Sequence, residues 1–124
     1  MRKTTSDFDR VRRLGPALPG VEEGTAHGSP ALRLGGQLMA CIAVHRSAEP
    51  GSLVVRVDFA DRAELLAREP DIYYVTDHYV EHDSVLVRLS RVGSDVLRDL
   101  LGMAHKYLTS KSRSRLPHPK RRKR

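Results

Sequence analysis

The chain has 124 residues, is 40% hydrophobic and 30% charged, and its single cysteine, Cys41, excludes an intrachain disulfide framework. The longest apolar run, Leu38–Val44, spans seven residues, far short of the roughly 20 that cross a bilayer. The formal net charge of +7 is unevenly placed: residues 111–124 carry eight Lys/Arg and no acid, leaving fourteen basic and fifteen acidic residues over 1–110.

The N-terminus, Met1 to Asp7, has positive charge with no apolar stretch behind it, so it is not expected to act as a signal peptide. A first helix is predicted from Ser6, with Phe8, Val11 and Leu14 on one face. Gly15-Pro16 weakens it and Pro19-Gly20 ends it. The Gly-rich stretch 21–29 reads as a loop or irregular strand. Residues 30–34 form a strand, Gly35-Gly36 a hairpin turn, and 37–44 the return strand, apolar on both faces and therefore central. Leu53, Val55 and Val57 then alternate with Val54, Arg56 and Asp58, the cleanest strand pattern of the chain.

A short helix is predicted over 61–69 with Ala63, Leu65 and Leu66 inward, closed by Pro70. Strands follow at 72–76 and 85–89, separated by a polar loop over 77–83. The last helix begins at Ser94 and buries Leu97, Leu100, Leu101, Ala104 and Leu108. The expected order is α-β-β-β-α-β-β-α. The fold class is α+β, a two-layer arrangement with a mainly antiparallel sheet and helices packed against it. One domain over 1–110 and a disordered basic tail over 111–124 complete the organisation.

The tail holds Lys111, Arg113, Arg115, Lys120, Arg121, Arg122, Lys123 and Arg124, with Pro117 and Pro119 keeping it extended. Such a run neutralises phosphates and releases counterions without reading bases. It has no aromatic interleaving after Tyr107, so it offers no stacking platform. The competing reading is a solvated tail that only aids solubility.

Other candidate sites are weaker. His78 and His82 stand four apart beside Glu81 and Asp83, but Tyr79, Val80 and Thr76 favour a loop, where that spacing diverges, and no third histidine is near in sequence. A surface loop is expected there. His27 could meet His78 and Tyr79 if two loops share one end of the sheet, although an exposed loop histidine is the simpler expectation. Cys41 lies in the most apolar run and reads as a buried structural thiol. Ser29 lacks the nucleophile-elbow pattern, Glu22-Glu23 look solvated, and Gly35-Gly36 joins two strands and so is no phosphate loop. No catalytic residue, metal or cofactor is expected.

A family resemblance runs through this pattern. Phe8-Asp9-x-Val11-Arg12, the stretch Ala17 to Thr25, and Gly28 to Ala40 carry it first. Val75-Thr76-Asp77-His78-Tyr79 and Val85 to Leu89 continue it. Over roughly residues 7–109 the chain resembles the MmcQ/YjbR-like family of small bacterial proteins. The resemblance implies a two-layer α/β fold with an antiparallel sheet. Members are often labelled DNA-binding, because the fold is similar to a double-wing DNA-binding module. The chain departs from the pattern at Asp77, where Pro is common, and at Ser84, where Trp usually stands. The expected protein is therefore a monomeric, cytoplasmic, non-enzymatic binder of DNA or RNA, contacting phosphates mostly non-specifically through its basic tail. The alternative is a domain for an unknown small molecule or protein partner, with a solubilising tail.

Overall fold

The alternation of apolar residues through the middle of the chain builds a sheet whose two faces are both partly covered. The computed structural model describes residues 3–114. Helix α1 (Lys3–Leu14) is followed by a 3-10 turn over Gly15–Ala17, then strands β1 (Val21–Ala26), β2 (Ser29–Leu34), β3 (Gln37–Ile42) and β4 (Ser52–Arg56). Helix α2 (Phe59–Arg68), strands β5 (Tyr73–Tyr74) and β6 (Ser84–Arg88), and helix α3 (Ser94–Ser114) complete it. The strands form one six-stranded sheet in the order β1-β2-β3-β4-β6-β5, with every neighbouring pair antiparallel. The fold is α+β.

One face carries the main core. Leu53, Val55 and Val57 from β4 and the residue after it, with Val85, Val87 and Leu89 from β6 and its end, pack against Phe8 and Val11 of α1. Leu97, Leu100, Leu101, Ala104 and Leu108 of α3 close that face, and all five are buried. Burying such side chains stabilises by roughly 1.5–3 kcal/mol each, so this face supplies most of the folding free energy. The opposite face holds a smaller cluster of Ala26, Ala31, Cys41, Val54, Tyr79 and Leu86. Among the described residues no helix packs on this cluster, which is met by the β3–β4 loop and the segment between β5 and β6, so this face is incompletely covered.

Gly15 marks where the first helix meets the sheet. A Cβ there would run into the fully buried Leu32, within 3.0 Å of Cδ2 and 3.2 Å of Cγ. The backbone approaches that closely only because glycine has no side chain.

Two expectations change and one alternative is decided. Of loop and irregular strand, the 21–29 stretch is a strand followed by a tight turn: β1 pairs residue by residue with β2, and His27 and Gly28 form the turn, both at positive φ. Its sequence hides this because an edge strand needs few apolar residues. Only Val21 and Ala26 of β1 are buried. Helix α2 begins at Phe59, two residues earlier than expected, because Asp58 caps it by accepting from the Ala60 backbone N–H at 2.8 Å. On α2, Leu65 and Leu66 touch the core, while Ala63 is exposed. Finally, α3 runs to Ser114, so the boundary placed at 110/111 falls inside a helix.

Candidate functional site

The site grows from the incompletely covered face. Small or branched side chains on the central strands, Cys41 and Val54 with Leu38 beside them, leave a shallow apolar floor. Over it lies a cleft of about 900 Å³, within the range of small-molecule sites. Its walls come from three connections: the β1–β2 turn with His27, the β3–β4 loop with His45 and Arg46, and the β5–β6 segment with His78, Tyr79 and His82.

The β3–β4 loop is held by polar ties on its far side. The Glu49 carboxylate accepts from Arg88 Nε at 2.9 Å and Nη2 at 2.8 Å, and the Glu49 N–H donates to the Tyr74 hydroxyl at 2.7 Å. The Arg88 guanidinium lies over the Tyr74 ring, 4.3 Å from its centre. That bidentate, ring-stacked arrangement suits arginine and fixes the loop more firmly than a lone surface pair. Its near side carries His45. The Ser47 backbone N–H donates to His45 Nδ1 at 3.0 Å, so the neutral ring bears its proton on Nε2. Ser47 Oγ also bonds Thr76 Oγ1 at 2.8 Å, tying this loop to the β5–β6 segment.

The β5–β6 segment is a series of turns, with Tyr79 N–H donating to Thr76 carbonyl oxygen and His82 N–H to Tyr79 carbonyl oxygen, both at 2.9 Å. It buries Tyr79 and leaves His78 and His82 exposed. His78 stacks on His45 with ring centres 3.5 Å apart and 9° between planes. Tyr79 stands edge-on to His78 at 4.8 Å. His82 is 6.3 Å from His78. Desolvation under this stack, then the neighbouring His45 and His82, lower the His78 pKa. Burial pushes the Tyr79 phenol up. It also pushes the Cys41 thiol up, against the opposing pull of Arg33, so Cys41 is a poor nucleophile at neutral pH.

Asp83 closes one corner of the cleft. Its Oδ2 accepts from Arg56 Nη2 at 2.9 Å and from the Tyr107 hydroxyl at 2.6 Å, with Lys111 Nζ at 3.5 Å. Burial works to raise its pKa, but the hydrogen bonds from Arg56 and Tyr107 overcome it and hold the carboxyl at about 2. Burial and the bond to Asp83 push the Tyr107 phenol up to about 12. Arg56 also donates to the Leu38 carbonyl oxygen at 3.2 Å, while its Nε is buried and has no hydrogen-bond partner among the described residues.

The sequence-expected residues thus divide. His27, His78 and Tyr79 do line one cleft, and His27 is exposed there, so both of its readings hold together. His78 and His82 lie on turns, as the loop reading requires, and among the described residues no group of three or more His, Cys, Asp and Glu is arranged to hold a metal. His45 and Arg46 carry no sequence signal at all, because only the tertiary pairing of two loops makes them wall residues. Of the basic run, Lys111 is helical and engages Asp83 and, at 5.8 Å, the Tyr107 ring. Arg113 falls on the last turn of α3. Arg115, Lys120, Arg121, Arg122, Lys123 and Arg124 lie outside the described residues.

With geometry in place, comparison with known proteins gives one decisive match. The YjbR family model aligns over residues 16–107, most of the chain and all six strands. The chain belongs to the YjbR family. No curated protein matches it. Among solved structures it is similar to the Deinococcus radiodurans protein DR2400, a DUF419 domain, with a TM-score of 0.69 and 21% identity. That alignment covers 85% of this chain and 80% of the other. The likeness supports the YjbR fold and carries no activity with it. Among the described residues no helix is long and apolar enough to cross a membrane.

Proposed function

We propose that this YjbR-family protein binds nucleic acid, DNA foremost, mostly non-specifically through its basic C-terminal run, and performs no catalysis. The observation that carries the reading is the charge division: eight cations and no acid over 111–124, beside a body close to balance. Helix α3 continues into that run as far as Ser114, and Lys111 is seated on Asp83. Clustered cations on a polyanion gain affinity by counterion release, which needs no base reading.

The experiment is a salt titration of duplex DNA and RNA binding by the full chain and by a chain ending at Ser114. That truncation keeps α3 through Ser114 and leaves sixteen Lys/Arg against fifteen Asp/Glu. If about 4–6 phosphates are contacted, the log–log salt slope of the full chain is roughly −4 to −5 and nearly independent of DNA sequence. The shortened chain loses most of the slope. Retained affinity with a preferred sequence would move the interface to the folded body.

A second reading, a domain for a small molecule or protein partner with a solubilising basic run, is favoured by the cleft. An apolar floor under a cleft of about 900 Å³ ringed by imidazoles is more than a nucleic-acid tail requires. Saturable binding of a small molecule with no nucleic-acid binding at low salt would put this reading first.

A further inference from the structure

We propose that the cleft on the uncovered sheet face binds a small amphipathic organic anion, a carboxylate or sulfonate on an apolar body. The inference rests on the ligand-binding reading of the cleft and names its ligand chemistry.

The floor sets the apolar half. Leu38, Cys41 and Val54 present carbon and sulfur, with the half-exposed Val44 extending the same surface toward the mouth. An apolar body laid there removes that surface from water. The rim sets the polarity. Arg46 gives it a cation, and four histidines, His27, His45, His78 and His82, give it ring nitrogens for hydrogen bonds, against a single carboxylate, Asp83. Asp83 has no charge to offer a ligand, because Arg56 pairs with it at 2.9 Å and Tyr107 donates to the same oxygen. Arg46 is exposed and enters none of the ion pairs among the described residues.

The pairing of the guanidinium groups sharpens the choice: of the two that line the cleft, Arg56 is paired with Asp83, while Arg46 has no carboxylate partner among the described residues. A cation finds only the neutralised Asp83, and a neutral apolar ligand leaves the rim unanswered. An extended nucleic-acid strand would want flat exposed rings, yet Tyr79 is buried edge-on beneath His78. An anionic head with an apolar body matches every surface of the cleft.

The test uses the full chain with 8-anilinonaphthalene-1-sulfonate as fluorescent probe, displaced by decanoate, decanol or decylamine. The imidazole signals of His45 and His78 are followed by NMR. Expected are saturable probe binding, displacement by decanoate at about tenfold lower concentration than by the neutral or cationic chain, and movement of both imidazole signals. Arg46→Glu weakens decanoate about tenfold and leaves decanol unchanged. Should that variant fail to fold, Arg46→Gln weakens decanoate in the same direction and leaves decanol unchanged. Equal displacement by all three chains overturns the anion inference while leaving the ligand-binding reading of the cleft intact. No saturable binding, or shifts that spare both histidines, overturns both. Displacement of the probe from those histidines by a short oligonucleotide assigns the rim to nucleic acid and overturns the inference too.

Discussion

Replacing Asp83 with asparagine tests the corner that ties β4, β6 and α3 together. The carboxylate is 19% exposed and its partner Arg56 21%, so the pair is shielded but not dry. Three donors converge on one oxygen, at 2.9 Å from Arg56, 2.6 Å from Tyr107 and 3.5 Å from Lys111. The carboxyl titrates at about 2 in the fold against 3.8 ordinarily. A difference of that size corresponds to about 2–3 kcal/mol of stability, at about 1.4 kcal/mol per pH unit. Because the folded pKa is depressed, this stability is fully present above the unfolded value near 3.8. It is lost as pH falls from there through about 2. The amide of the variant still accepts a hydrogen bond but carries no charge, so Asp83→Asn is expected to cost about 2–3 kcal/mol near neutral pH. Urea unfolding of both proteins across a pH series is the assay. The gap between them narrows below about pH 4, where the carboxylate begins to protonate in the unfolded chain. A gap under about 0.5 kcal/mol at neutral pH, or one that stays constant to the acid limit, would refute the assignment of Asp83 as the hub.

Other consequences are checked separately. Gly15→Ala places a methyl group against buried Leu32 and should destabilise by about 1–3 kcal/mol in the same unfolding assay, an overpacking cost. Cys41, 4% exposed and with its thiol pKa raised by burial, should react slowly with a thiol reagent in the native protein and rapidly in denaturant; fast native labelling would reopen an enzymatic role. In an NMR pH titration His78 should lose its proton below the ordinary histidine value. His45→Ala, which removes the stacked ring, should bring it back up. A chain ending at Ser114 should keep the stability of the full chain within about 1 kcal/mol, since the buried stripe of α3 ends at Leu108.

Much of this protein could be read from local pattern. The alternation of Leu53, Val55 and Val57 against Val54 names a strand and its two faces, and the structure places the first three in one core and Val54 in the other. The stripe Leu97 to Leu108 names the buried side of α3 for the same reason: side-chain direction follows a fixed period along the backbone. Family membership was legible because the order and spacing of these segments are themselves sequence properties. What escaped had no local period. The strand β1 is an edge that its neighbour holds through backbone hydrogen bonds, so its polar residues could not decide between loop and strand. The last residues of α3 lie past its apolar stripe, and the partner that Tyr107 and Lys111 meet, Asp83, is far away in sequence. The cleft is the clearest case. His27, His45 and His78 come from three separate connections, and His45 stacks on His78 only because β3, β4 and β6 bring their loops to one place. Sequence by itself determined the central strands, the three helices and the basic run, because burial and charge write those locally. The meeting of loops over the open face of the sheet was decided by tertiary structure alone, because contacts between distant residues depend on strand order and register.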